Sequence, residues 1–192
     1  MTNATNNQRG TAYVSDLGLS SGMIRASFSL NQSYGSGSTD QADGLSVYYG
    51  QFNNETTALF DGDLPVAGLR VRYHIENNAF SPVDESITVH YNGAQIFNQQ
   101  VNLTTTPIDF KETDFSVSPA GLFNLAYDGN TIFQGMIAGW NPQPDWQFAL
   151  TARTGGRNSQ QFVDNLLLAT PEPSRVALLG LGGVLFAARR RR

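Results

Sequence analysis

Ser86-Ile87-Thr88-Val89-His90-Tyr91-Asn92-Gly93-Ala94-Gln95-Ile96-Phe97-Asn98-Gln99-Gln100-Val101 is the stretch that decides the fold class. Asn92-Gly93 stands between two extended runs, Ser86–Tyr91 and Ala94–Val101, and supplies the positive φ that a tight hairpin turn needs. The same grammar recurs at Asp128-Gly129, between Leu122–Tyr127 and Thr131–Ile137. Working outward, apolar and polar residues alternate at Ile24-Arg25-Ala26-Ser27-Phe28-Ser29-Leu30 and again at Leu69-Arg70-Val71-Arg72-Tyr73-His74-Ile75-Glu76. Period two with one polar face is the signature of a half-buried strand. Further strands are expected at Thr11–Ser15, Leu45–Phe52, Ile108–Val117, Trp146–Thr154 and Phe162–Ala169. No long helical period precedes Val176. Many short antiparallel strands joined by Gly, Asn and Asp turns predict an all-β sandwich or jelly roll.

Composition narrows the function classes. The 192 residues contain no cysteine, which excludes disulfides, thiolate metal sites and a cysteine nucleophile. Residues 1–170 hold 7 Lys/Arg against 15 Asp/Glu, a net charge of −8; residues 171–192 hold five arginines and one glutamate, net +4. An acidic domain without a basic tract argues against nucleic-acid binding.

Four segments, in order, resemble the concanavalin A-like lectin and glucanase superfamily, in its L-type-lectin-like branch. They are Gln41-Ala42-Asp43-Gly44-Leu45-Ser46-Val47, Thr88-Val89-His90-Tyr91-Asn92-Gly93, Leu125-Ala126-Tyr127-Asp128-Gly129, and the run from Phe148 to Leu166 with its Ala-Arg-Thr-Gly-Gly … Asp-Asn pattern. The resemblance implies an antiparallel jelly-roll β-sandwich over residues 1–170. It also implies a start one strand earlier than this chain's. With no apolar stretch in Met1–Gly10, the expectation is that a signal peptide and a first strand lie upstream.

In lectins of this superfamily the aspartate of the Ala-Asp-Gly loop accepts hydrogen bonds from sugar hydroxyls. Asp43 is the match, and Ala42–Asp43 is the matching site of a cis peptide bond. The segment Gly155-Gly156-Arg157-Asn158 matches the loop beside it; glycines admit close backbone approach, and Arg and Asn offer hydroxyl-directed donors and acceptors. The expected carbohydrate site is therefore Asp43, Gly155, Gly156, Arg157 and Asn158. The alternative is that Asp43 and the glycines only shape turns. Tyr48, Tyr49, Trp140 and Trp146 offer faces for sugar stacking or, more simply, belong to the core.

Many lectins of this fold use Ca2+ to order the sugar site. The dense Asp/Asn/His cluster that legume lectins use is not found here. The nearest acidic cluster is Asp61-Gly62-Asp63, a pattern more often a solvated turn, and no cofactor is required. Asp164-Asn165 reads as a turn or cap that opens the last strand. Glucanases of the superfamily place carboxylates as Glu-x-Asp-x-x-Glu on one strand, and this chain has no such spacing. Asp84 and Glu85 are adjacent and face opposite sides; Glu112 and Asp114 share one face as a solvated pair; His74 and His90 fall on the polar side of their strands and read as exposed surface residues. The expectation is a binding protein and not an enzyme.

The last 22 residues carry a second resemblance. Pro171-Glu172-Pro173-Ser174 is followed by an apolar run from Val176 to Ala188 and then by Arg189, Arg190, Arg191 and Arg192. Pro-Glu-Pro interrupts regular structure, the apolar run suits a bilayer, and the arginines suit its cytoplasmic side. As a helix the 13-residue run spans about 20 Å, short of the roughly 30 Å hydrocarbon core. The order resembles the PEP-CTERM sorting signal of Gram-negative bacteria. It implies a C-terminal hydrophobic helix at 176–188, export, transient anchoring in the inner membrane, and cleavage by an exosortase-type membrane protease. The mature domain would then act at the cell surface or in extracellular matrix, binding exopolysaccharide. The alternative role is that of a structural or adhesion protein with protein partners.

Overall fold

The computed structural model describes residues 8–14, 23–34, 43–52, 67–78, 81–103, 106, 108–154 and 159–169. Among them lie eleven strands: β1 (Arg9–Val14), β2 (Ile24–Tyr34), β3 (Gly44–Gln51), β4 (Ala67–Asn78), β5 (Ser81–Tyr91), β6 (Ala94–Gln100), β7 (Lys111–Val117), β8 (Leu122–Tyr127), β9 (Asn130–Met136), β10 (Gln147–Arg153) and β11 (Ser159–Ala169). They form a six-stranded sheet in the order β1-β10-β3-β4-β5-β6 and a five-stranded sheet in the order β11-β2-β7-β8-β9. Every pairing is antiparallel.

Both anticipated hairpins form. Asn92 and Gly93 have φ of 47° and 82°, and Asp128 and Gly129 have 50° and 75°, the paired positive values that match the twist of the flanking strands. The Asn92 turn is also tied back to β4: Gly68 N–H donates to Asn92 Oδ1 at 2.9 Å, and Asn92 N–H donates to the Gly68 carbonyl at 2.9 Å.

Three local readings differ from the sequence expectation. Ile108–Phe110 precedes β7 rather than belonging to it. Asn31 Nδ2 donates to the Thr106 and Asp109 carbonyls at 2.7 and 2.8 Å, which holds that segment as a loop and leaves Ile108 90% exposed. Strand β2 runs on to Tyr34 because Asn31, Gln32 and Ser33 are all buried, so its polar end is hidden from a hydrophobicity pattern. Asp164-Asn165 does not open the last strand. It forms a bulge inside β11: the register with β2 shifts between Asp164 and Leu167, and Asn165 has a φ of 54°. The hydrophobic helix at 176–188, the Pro171-Glu172-Pro173 motif and Arg189–Arg192 lie outside the described residues.

The core is the apolar face of each sheet. A ladder of rings crosses it and joins the sheets. Trp146 packs edge-on to Tyr49 (5.3 Å) and Tyr49 on Phe148 (5.0 Å) within the six-stranded sheet's side. Phe148 meets Phe115 (6.4 Å) on the opposite sheet, and Phe115–Phe123–Phe133 continue at 6.1 and 5.8 Å. Phe133 then meets Phe97 of β6 at 4.6 Å, returning to the first sheet. Tyr49 and Trp146 are buried in the core and Tyr48 is buried outside it, so these three rings offer no open stacking face; Trp140 is half-buried against the core. Phe148 is 2% exposed and touches both sheets. Phe148→Ala should lower unfolding free energy by about 3–5 kcal/mol, the range for a lost core aromatic; denaturant titration followed by tryptophan fluorescence checks this.

Candidate functional site

Asp43 sits immediately before β3, and its backbone is pinned on both sides. Its N–H donates to the Arg153 carbonyl of β10 at 3.0 Å, and its own carbonyl accepts from Ile75 N–H of β4 at 3.2 Å. His74 Nδ1 lies 3.0 Å from the same carbonyl, which can only accept, so the His74 ring carries a proton on Nδ1. Gly44, next in the chain, has a φ of 133°, and a Cβ there would overlap the Tyr73 carbonyl oxygen. The glycine of the Ala-Asp-Gly loop is therefore required by close backbone approach between β3 and β4. These constraints fix where the Asp43 side chain leaves the sheet.

The Asp43 side chain is 26% exposed, but its Oδ2 is itself buried, and Arg153 Nε lies 3.2 Å from that oxygen, an ion pair rather than an aligned hydrogen bond. A part-exposed pair of this kind adds at most about 1 kcal/mol to stability. Its consequence is orientation: it holds the carboxylate at the rim beside β10.

The segment Gly155-Gly156-Arg157-Asn158 lies outside the described residues, as does Ala42. Its two anchors are described. Thr154 and Ser159 are both buried, and Gln161 Nε2 donates to the Arg153 carbonyl (3.1 Å) and to Ser159 Oγ (2.7 Å). The end of β10 is thus bonded both to Asp43 and to the start of β11. Of the five expected site residues, the structure places Asp43. It adds Arg153 and His74, whose contacts with Asp43 no linear spacing revealed.

The outer face of the six-stranded sheet is cationic. Register places Arg9, Arg153 and His74 in one row with Gly44, and Arg70, Arg72 and His90 on the same face. Among the described residues, four of the six Lys/Arg side chains stand on this face of an otherwise acidic domain. His74 and His90 are not simple exposed surface residues: each is half-buried and bonded. Arg70 Nη2 approaches His90 Nδ1 at 3.1 Å, which fits a neutral imidazole that accepts there. Desolvation first, then the Arg70 and Arg72 charges, push the His90 pKa down from 6.5 to about 4.

The described side chains around Asp43 do not make a calcium site. Ca2+ takes six to eight oxygen ligands, whereas the described side chains against Asp43 are a guanidinium and an imidazole. Among the described residues no group of three or more His, Asp or Glu side chains converges. Asp61 and Asp63 lie outside them. On the other sheet, Asp114 pairs with Arg25 at 2.6 Å in an exposed ion pair; Glu85, on β5 of the six-stranded sheet, is buried, its carboxylate accepting from Leu103 N–H.

No family model matches the sequence, and neither does any curated protein. Solved structures do match. The exoplasmic/lumenal domain of VIP36 in its Ca2+/Man-bound form superposes with a TM-score of 0.69 at 12% identity, over 88% of this chain and 76% of that one. The carbohydrate recognition domain of Emp46p in a potassium-bound form gives 0.63 at 12%, over 85% and 78%. Lectin I-B4 of Griffonia simplicifolia, metal-free, gives 0.65 at 14%, over 88% and 83%. The chain therefore has the two-sheet antiparallel sandwich of the L-type lectins.

The His90 shift has a definite sign. The unfolded state binds a proton near pH 6.5 and the folded state only near 4, so this group's stabilisation is complete above pH 6.5 and is lost as pH falls from 6.5 to 4. His90→Gln should flatten the decline of denaturation midpoint across that window, measured by urea titration at pH 7, 6, 5 and 4.

Proposed function

We propose that the domain binds carbohydrate at the rim carrying Asp43, with the Gly155-Gly156-Arg157-Asn158 segment completing the site. The observation that carries this reading is the fixed, part-exposed Asp43 carboxylate. It is set by backbone bonds to two neighbouring strands and oriented by Arg153, in a fold shared with sugar-binding lectin domains. A carboxylate held this way, with Oδ2 turned to Arg153, accepts a hydrogen bond from a sugar hydroxyl at Oδ1 without a prior cost of ordering. Arg153, beside it, supplies donors to the same ring.

The proposal extends to context. The tail motif Pro171-Glu172-Pro173, the apolar run 176–188 and Arg189–Arg192 support a protein exported from a Gram-negative cell. It would be held briefly in the inner membrane, released by an exosortase-type protease, and active on exopolysaccharide at the surface or in the matrix. A second reading, a structural or adhesion protein, has one observation in its favour. β11 is an edge strand and exposes Phe162, Leu166 and Leu167, an apolar border suited to a protein partner.

A glycan array probed with the wild type and with Asp43→Ala separates the two. Loss of charge-assisted hydrogen bonds at about 1.5–3 kcal/mol predicts at least a tenfold fall in binding for Asp43→Ala, with unchanged circular dichroism. Equal binding by both proteins would remove Asp43 from the site. No glycan bound by the folded wild type would move the assignment to the adhesion reading.

A further inference from the structure

A cleft at the opposite side of the same end of the sandwich has the chemistry of a second sugar site. Strands β6 and β9 are edge strands of the two sheets, and the Phe97–Phe133 contact at 4.6 Å closes the sandwich between them. Beyond those rings the side chains no longer meet. A cleft of about 340 Å³ opens there, lined by Gln99, Val101 and Asn102 on one wall and by Tyr127, Asn130 and Ile132 on the other. That volume is at the small end of the range for small-molecule sites, about 300–1,000 Å³.

Both walls are held in place. Val101 N–H donates to the Glu85 carbonyl at 3.0 Å, and Leu103 N–H donates to the Glu85 carboxylate. Opposite, Asp128 N–H donates to the Glu112 carbonyl at 2.8 Å, and Asn130 Nδ2 donates to the Asp128 carbonyl at 2.9 Å. Tyr127 is 6% exposed, yet its hydroxyl has no hydrogen-bond partner in the protein. That oxygen is itself buried, so Tyr127 contributes a fixed ring to the wall and not a hydroxyl to a ligand.

The lining selects the ligand class. Three amide side chains, Gln99, Asn102 and Asn130, each combine donor and acceptor, the pattern that vicinal hydroxyls need. Val101, Ile132 and the Tyr127 ring supply an apolar surface for the C–H face of a sugar. The rim carries a net negative charge: Asp128, which also borders the cleft, pairs with Lys111 at 3.3 Å, and the same Lys111 lies 3.4 Å from Asp109. A site with neutral amides and a net negative rim disfavours an anion. We infer that the β6–β9 cleft binds a neutral sugar ring. The row Asp43–Ile75–Glu85–Val101 places it three strand spacings from Asp43, roughly 14 Å along the sheet. It shares no residue with the Asp43 rim and stands whether or not that rim binds sugar.

The test is a 1H–15N NMR titration of the full chain with mannose, glucose and N-acetylglucosamine at millimolar concentration, on wild type, Asn102→Ala, Gln99→Ala and Asp43→Ala. The expected result is saturable shifts at Gln99–Leu103 and Tyr127–Ile132 with at least one sugar, retained in Asp43→Ala. Affinity should fall roughly tenfold in Asn102→Ala. Thermal stability of that variant should not fall, because the Asn102 side chain is exposed in the free protein; a purely structural role would not separate binding from stability in this way. Shifts confined to Asp43, His74 and Arg153 and abolished by Asp43→Ala would overturn the inference while supporting the rim. Unchanged affinity in both cleft variants would overturn it, and so would an absence of shifts with all three sugars.

Discussion

The ring ladder from Trp146 through Tyr49, Phe148, Phe115, Phe123 and Phe133 to Phe97 is the contact on which the rest of this structure depends. Neither sheet is stable alone, because each has one apolar face that must be covered. The ladder covers both at once and fixes their separation and relative placement. It also closes the side between β6 and β9 at Phe97–Phe133 and leaves the space beyond unfilled. The Trp140 and Trp146 region is held to this core by Tyr91, whose hydroxyl donates to the Gly139 carbonyl (2.9 Å) and accepts from Asn141 N–H (3.0 Å).

With the sheets fixed, the placement of Asp43 is a matter of backbone. The close approach of β3 and β4 at Gly44 leaves no room for a side chain, so Asp43 is presented at the margin rather than buried in the sheet. Arg153 serves twice there, through its carbonyl to Asp43 N–H and through its guanidinium to the carboxylate. One residue thereby couples the position of the carboxylate to the end of β10, from which the chain departs for β11. The cationic outer face extends from the same row through Arg72 and Arg70. On the proposed reading, a carboxylate paired with Arg153 favours ligands with a hydroxyl facing the acid and an acceptor oxygen facing the guanidinium.

The strands and their faces were legible because period two is a direct consequence of a pleated sheet with one wet side. The two hairpins were legible because only a few dipeptides take positive φ twice in succession. Sheet membership was not. Nothing in the run Gln147–Arg153 announces that it lies between β1 and β3, since alternation specifies a strand's faces and not its neighbours. Ile108 misled for a related reason: apolarity suggested strand, but the Asn31 side chain outcompeted ladder bonding there. In the site, Asp43 was readable from its motif. Arg153 and His74 were not, because a contact spanning 31 or 110 positions leaves no periodic trace. Likewise the β6–β9 cleft depends on where the ring ladder stops, a property of packing between sheets and not of any one strand.

The account's central claim is that the sheet margin at Asp43 receives a sugar. A crystal structure of the protein with an oligosaccharide selected on the glycan array tests it most directly. The account predicts a sugar hydroxyl within hydrogen-bonding distance, about 2.5–3.0 Å, of Asp43 Oδ1, with Arg153 contacting the same ring. A bound oligosaccharide that leaves Asp43 and Arg153 untouched would contradict it.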